Sequence, residues 1–594
     1  MNRIYRFCAI VICVGMLQCP GMTNGQVTNP VLRLAPVVVI GTKEAEKSLS
    51  GAGTYLDGSQ VRAFDLGDVH EILRQVPGVY VREEEGYGLR QNVSLRGVDP
   101  TRSSKVTLME DGVLTAPAPY SAPQSYYTPN IHRMSGAEIL KGSSQVRFGP
   151  HTTGGVINYL STPVPESNQG FLRFLYGTDN EVRAHTWYGG RVNTDAGRFG
   201  YLAEFYLRRA DGFKRIDLTP DFRDGDKTGF TLWEPMLKLA WDLPTLKRQS
   251  LEFKIGYTDL ENDETYLGLN DVDFRANPIR RYSSTRFDEF NSECLRTYLR
   301  HWIELTEDVQ LATTAYYQDF HRNWYKLDSL RNIQGGPASM SLSEALATPG
   351  APLDTLRGAN GGILRVRANN RDLWLAGVET VLDWRFRTGE LPHEALAGFR
   401  YHTDVSRRLD WRDDYYQTSS GTITNVQRQV GGVGAADNRR DQTDAIAFFV
   451  QDSMSFGRLT VTPGVRFEHL MQEYYDRNAA DPRTHSGTLD ICAGGVGFNY
   501  RHNKQLTLFG GAYRGFSVPD PRSAVRDGLS EETSIATELG VRWEPLAALQ
   551  LEMTLFYTRF ENLIVIDNVV GAGAMENAGD INCGGVEWRA QYDP

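Results

Sequence analysis

DVHEILRQVPGVYVREEEGYGLRQNVSLRGVDPTRSSKVTLMEDGV, residues 68–113, and ILKGSSQVRFGPHTTGGVINYLSTP, residues 139–163, form the stretch around which the chain is organised. Val69, Ile72, Leu73 and Val76 recur at helical spacing, and Pro77-Gly78 stops the helix. Val79-Tyr80-Val81 reads as a short strand. Val93, Leu95 and Val98 form another apolar run, interrupted by Arg96-Gly97. Val106 to Met109 is a strand that ends in a turn at Asp111-Gly112. Ala137 to Leu140 precedes Lys141-Gly142, and Gly149, Gly154 and Gly155 bracket a last strand over Val156–Leu160. The spacing predicts a glycine-punctuated α+β domain of roughly a hundred residues.

After Pro163-Val164-Pro165 the pattern changes to segments of alternating character. Leu251, Phe253, Ile255 and Tyr257 alternate with Glu252, Lys254, Gly256 and Thr258. Leu459, Val461, Val465 and Phe467 do the same with Thr460, Thr462, Arg466 and Glu468, and the pattern recurs at Thr537–Trp543 and Leu551–Thr558. One face is apolar and aromatic and the other carries charge, the pattern of a transmembrane antiparallel β-barrel. Strands cross lipid only in a closed sheet, because lipid offers no partner to an unpaired backbone group. A soluble propeller would show a recurring four-strand repeat, and none is visible. The connections are unequal. Phe456-Gly457 and the region of Pro545 read as tight turns, whereas Asp259–Glu293, Lys326–Asn370, Arg407–Asp441 and Tyr474–Leu489 read as long loops. Counting the alternating segments between Gln169 and Tyr592 gives roughly 16 strands.

At the start, Arg3 and Arg6 precede an apolar run from Phe7 to Leu17, too short for a bilayer span and suited to a secretory signal. A cut near Gly25-Gln26 removes Cys8, Cys13 and Cys19. The remaining Cys294, Cys492 and Cys583 are too scattered for a metal cluster or a dense disulfide framework. Leu34 to Thr42 is a β-prone segment with polar flanks. It reads as a buried strand or as a tethered segment suited to strand addition on a partner.

The segments LRQVPGVYV, VSLRGVD, VTLMEDGV and AEILKGSSQVRFGPHTTGGVINYLS, in this order, resemble the plug domain of TonB-dependent outer-membrane transporters. APAPYSAP, YYTPNIHRM, DETYLGLNDVDFRANPIRRY and FHRNWYKL are most similar to the ferric dicitrate transporter group. The resemblance implies a mainly β protein: a barrel of about 22 strands filled by an N-terminal α+β plug, with fewer strands in this chain. The closing GGVEWRAQYDP reads as a strand beginning, so the expectation is a chain cut short at its C-terminal end. The expected organisation is a signal peptide over 1–25, a periplasmic tether over 26–50, the plug over 51–163 and the barrel over 164–594. Ala35, Pro36, Val37, Val38, Val39 and Ile40 resemble the segment that TonB engages, the TonB box. The room before Leu34 is too short for the signalling domain of some relatives.

The net charge of −10 argues against a nucleic-acid partner, and an anionic ligand must be met by local arginines. The runs Glu83-Glu84-Glu85, Glu110-Asp111 and Asp259–Glu264 read as turns and loops rather than metal or acid–base sites. The histidines have no zinc spacing, and GxSxG and Walker A motifs are missing. The expectation is therefore no catalytic residues, no metal site and no cofactor. Arginine with aromatic neighbours matches carboxylates in shape and charge. Arg280, Arg281 and Tyr282 lie in one loop; Arg322, Trp324, Tyr325 and Lys326 lie before another; Arg407, Arg408, Trp411 and Arg412 lie at a third. If the loops converge, the first two groups, with Tyr120, Gln124, Tyr126 and Tyr127 of a proline-rich plug loop, form a pocket for a ferric chelate. Otherwise these pairs brace loops or meet lipopolysaccharide. Arg96 and Arg147 are expected to pair with Glu538, Glu552 or Glu587 of the wall as a plug–barrel latch. The implied partners are TonB with its inner-membrane energising complex, a ferric chelate, and outer-membrane lipid and lipopolysaccharide. Another siderophore, cobalamin or an oligosaccharide as cargo, and a passive porin or surface adhesin, remain open alternatives.

Overall fold

A computed structural model describes residues 40–63, 67–263, 265–567 and 574–592. The expected signal peptide, Ala35 to Val39 of the TonB-box-like segment, and Glu264 lie outside the described residues. The plug is built on a five-stranded sheet in the order Gly53–Asp57, Met134–Leu140, Val156–Ser161, Thr107–Glu110, Val113–Leu114. The middle pair, Val156–Ser161 with Thr107–Glu110, is parallel; the other pairs are antiparallel. The predicted helix forms over Val69–Leu73, capped by Asp68, whose carboxylate accepts the His70 amide at 2.7 Å. It buries Val69, Ile72 and Leu73 against Val93, Leu95, Ile139 and Ile157. Asp111 and Gly112 both take positive φ, 53° and 77°, and close the expected turn.

Around the plug runs a single sheet of sixteen long strands, from Gln169–Tyr176 to Ile581–Tyr592, with two short ones, Ser339–Ser341 and Ile423–Gln427, among the described residues. Alternation places Leu237, Phe448, Val465 and Leu539 outward and exposed. Lys254, Arg466 and Glu538, between such positions, are buried against the plug side. No helix among the described residues is long and apolar enough to cross a membrane. The strand order is cyclic, so Ile581–Tyr592 is the neighbour of Gln169–Tyr176. Adjacent long strands elsewhere share a residue-by-residue ladder; none is defined at this joint among the described residues. Leu172, Phe174 and Trp588 beside it are 81%, 69% and 71% exposed.

Much of what was expected to be loop is strand. Val309–Arg331, Gly362–Thr388, Leu391–Gln417 and Asp437–Phe456 carry their ladders through Lys326–Arg331, Gly362–Asn370, Arg407–Gln417 and Asp437–Asp441. Alternate residues such as Leu364, Val366 and Ala368 are buried along these extensions, and polar cross-strand pairs hold the other face. Arg365, for example, donates twice to Asp414, each time at 2.7 Å.

Candidate functional site

The plug loop around Tyr120 is pinned before it reaches the cavity. Asp404 of the wall accepts the amides of Tyr120 and Ser121 at 2.8 and 3.0 Å. The Tyr120 hydroxyl donates to Glu468 at 2.8 Å and accepts from Arg400 at 2.6 Å. Tyr120 is thus fully buried and anchors the loop. Farther along, the Ser125 amide donates to the Arg102 carbonyl at 2.8 Å. Between and beyond these anchors, Gln124 and Tyr126 line a cavity of about 520 Å³ with Arg102 of the plug and Trp324, Arg371, Arg408 and Arg439 of the wall.

Strand register produces the cavity's main chemical feature. Arg322 pairs with Arg371, Arg371 with Arg408, and Arg408 with Arg439. Four arginines therefore occupy one rung across four neighbouring strands. Two have acidic company: Arg439 lies 3.4 Å from Asp441, and Arg408 lies 3.7 Å from Asp437. Arg322 and Arg371 make no ion pair within 4.0 Å among the described residues, and Asp410 is the acidic neighbour of both. Arg322 is 1% exposed; its guanidinium lies 4.0 Å from the centre of the Tyr126 ring and reaches only the Asn369 carbonyl, at 3.4 Å. A desolvated guanidinium that no carboxylate contacts directly favours an added anion. Burial pushes the Tyr126 phenol up, but Arg322, Arg102, Arg371 and Lys326 outweigh it and bring the phenol down to about 7.

The expected binding residues separate into two groups. Trp324, Gln124 and Tyr126 line the cavity, with Arg322 packed on Tyr126. Arg280 is held by Asp217 and Asp273, both at 2.9 Å. Arg281 donates to the carbonyls of Pro278 and Arg280. Tyr325 donates to Asp413 at 2.6 Å. These three brace loops, so their expected place in the pocket is corrected. The arginines overlooked as lining, Arg371 and Arg439, stand in ladders whose register is not written in sequence order. Glu84 pairs with Arg102 and Glu83 with Arg74, so these acids are tied to neighbouring cations.

Two further arrangements tie the plug down. Arg96 donates to Glu587 at 3.0 and 3.3 Å and to Glu538 at 2.9 Å, and Lys141 adds a bond to Glu587 at 2.8 Å. Arg147 differs from the expectation. It lies over the Phe148 ring at 4.8 Å, with Glu138 of the plug and Glu379 and Asp383 of the wall as its acidic neighbours. Glu552 pairs instead with Arg542 at 3.0 Å. At the chain's entry, Glu138 accepts the amides of Ile40 and Gly41 at 2.7 and 2.9 Å, and Asn158 holds its other oxygen at 2.8 Å.

Known proteins share this architecture. The family described as TonB dependent receptor-like, beta-barrel matches residues 170–593, and the TonB-dependent Receptor Plug Domain matches residues 45–156. The ferrichrome outer membrane transporter/phage receptor of Escherichia coli (strain K12) is 22% identical over 564 residues, 88% of this chain and 68% of that protein. The vitamin B12 transporter BtuB of Vibrio vulnificus (strain YJ016) is 22% identical over 188 residues, 32% of this chain and only 29% of that transporter's length. The crystal structure of the ferric citrate transporter FecA in the unliganded form superposes with a TM-score of 0.73 at 22% identity, covering 94% of this chain and 77% of that one. With the barrel match alone spanning most of its length, the chain belongs to the TonB-dependent receptor family.

Proposed function

We propose that the protein takes up an anionic ferric chelate of the ferric citrate kind across the bacterial outer membrane, driven by TonB. The observation that carries this reading is the rung Arg322–Arg371–Arg408–Arg439, in which two guanidinium groups have no carboxylate within ion-pair distance among the described residues. Guanidinium forks match carboxylates two bonds at a time, and a citrate-type chelate presents several carboxylates around its metal. The aromatic wall of Trp324 and Tyr126 adds shape and excludes water. The ferric citrate transporter named above shares this fold. No step in this function is catalytic. The outward apolar belt suits outer-membrane lipid and lipopolysaccharide.

In this reading the ligand settles between the plug apex and the arginine rung. The Ala35–Ile40 segment then pairs with TonB as an added strand, and force from the inner-membrane complex displaces part of the plug. Arg96 with Glu538 and Glu587 serves as the latch that holds the plug in register meanwhile. Radiolabelled uptake by cells carrying the receptor tests the whole scheme. Ferric citrate is expected to enter, ferrichrome and cobalamin to be excluded, and deletion of residues 35–40 to abolish entry while binding persists. Entry that survives the deletion rules out TonB coupling and leaves a passive pore. Uptake confined to ferrichrome or cobalamin overturns the citrate assignment.

A further inference from the structure

The cavity lining mixes the rung's arginines with Glu83, Glu84, Asp520 and Asp527, and one further group that lines it has no role in that charge pattern. Three tyrosines follow one another in the plug loop, and two have their oxygens committed. Tyr120 is bound to Glu468 and Arg400, and Tyr127 donates to Glu110 at 2.9 Å while accepting from Arg133 at 3.3 Å. The hydroxyl of Tyr126 has no hydrogen-bond partner among the described residues. Its ring is nevertheless firmly held. Phe290 stacks on it at 6.1 Å and 21°, Trp324 meets it at 6.3 Å and 70°, and the Arg322 and Arg102 guanidiniums stand 4.0 and 5.3 Å from its centre. A ring fixed this tightly, lining a cavity and carrying an uncommitted oxygen, is a preorganised donor.

The surrounding charge decides what kind of donor. Four cations, Arg102, Arg322, Arg371 and Lys326, act on this one oxygen. They favour loss of its proton, and an anionic phenolate oxygen is a hard ligand of the kind that holds ferric iron in tyrosine-ligated haem proteins. In the chelate reading the iron brings its own organic ligands, and no cluster of histidine, cysteine, aspartate or glutamate suited to a metal occurs among the described residues. We propose that Tyr126 supplies its phenolate oxygen as a direct ligand to the ferric ion of the incoming chelate. This rests on the reading of the cavity as a ferric chelate site. The new Fe–O bond forms as the phenol proton passes to water and one oxygen ligand of the chelate, a water or a carboxylate arm, leaves the metal. The iron stays ferric throughout. Any carboxylate arm freed in this way finds the arginine rung beside it. The receptor then senses the metal itself as well as its organic shell, which separates loaded chelate from empty citrate.

Ferric phenolates absorb visible light through ligand-to-metal charge transfer, which gives the test a signature that no structural role of Tyr126 produces. Detergent-purified receptor is titrated with radiolabelled ferric citrate, and retained iron and visible absorbance are read on the same samples. The expected result is a band that rises with retained iron in the unchanged protein and is lost in Tyr126→Phe, which keeps the ring and still retains some iron. Retention without a band in the unchanged protein overturns the proposal and leaves the chelate reading intact. A band that persists in Tyr126→Phe also overturns it. No retention by the unchanged protein overturns the ferric citrate reading and this proposal with it.

Discussion

Replacing Arg96 by alanine is the sharpest test of how the plug is held. Arg96 is 6% exposed, and its guanidinium supplies three hydrogen bonds to two buried wall carboxylates, Glu587 and Glu538. Removing one partner of a buried ion pair costs about 3–5 kcal/mol, because the remaining charge stays desolvated. The neighbours set the position within that range. Glu587 keeps Lys141 at 2.8 Å. One oxygen of Glu538 keeps the amides of Ala52 and Ser143, at 3.1 and 3.2 Å, and its other oxygen loses its donor. The expected loss is therefore about 3 kcal/mol, roughly a hundredfold in the opening equilibrium of the plug. Backbone strain does not obscure the comparison. Arg96 takes φ 51°, and alanine meets the same left-handed penalty as arginine. Hydrogen exchange read by mass spectrometry should show peptides over residues 93–97 and 141–146 exchanging about a hundredfold faster, with the hairpin 459–501 unchanged. Arg96→Lys should fall between, since a point charge cannot fork across two carboxylates. Exchange within a few-fold of the parent in both variants would refute the latch.

Arg371→Ala should weaken ferric citrate binding by about 10- to 100-fold, the loss of charge-assisted hydrogen bonds worth roughly 1.5–3 kcal/mol. Equilibrium retention of labelled chelate measures this. Arg280→Ala should leave that affinity unchanged, because Asp217 and Asp273 already occupy its guanidinium; a comparable loss there would return the loop arginines to the pocket. Glu138→Ala should speed exchange of the Ile40 and Gly41 amides by about tenfold or more, since both share its one oxygen; unchanged exchange would place the restraint elsewhere. The Tyr126 phenol lies near 7 in the folded chain against an ordinary value of about 10. Its stabilising contribution is therefore absent below pH 7, grows between pH 7 and 10, and is complete above that. The melting-temperature gap between parent and Tyr126→Phe should widen over that interval, and a gap that is flat with pH would contradict the charge environment described.

The barrel and the plug core were legible because each rests on a local period. Leu251–Thr258 shows its two faces in eight residues, and Val69, Ile72 and Leu73 show one helical face in five. Whatever depends on alignment between strands was hidden. Arg322, Arg371, Arg408 and Arg439 become neighbours only through three ladders whose registers are set by turn lengths and packing. The ribbons beyond the lipid belt read as loops because glycines, asparagines and charges surround a short apolar alternation, Leu364, Val366 and Ala368, set between Arg365 and Arg367. In the proline-rich loop, residue type alone marked Tyr120 and Tyr126 equally, and only Asp404 and Glu468, hundreds of residues away, decide that the first is an anchor. Arg280 had a visible competitor in Asp273, seven residues earlier, and local pairing prevailed over convergence on the cavity.

The strand Gly53–Asp57 sits at the outer margin of the plug sheet, joined only to Met134–Leu140 through five residue pairs. It is also the first strand reached from Ile40. Under the proposed function, a tug from the periplasm reaches this strand once the bonds of Ile40 and Gly41 to Glu138 and those of residues 46–52 to the wall have yielded. The four strands behind it stay woven while this hem comes away, so a modest sustained pull does work that a single blow against the whole fabric could not.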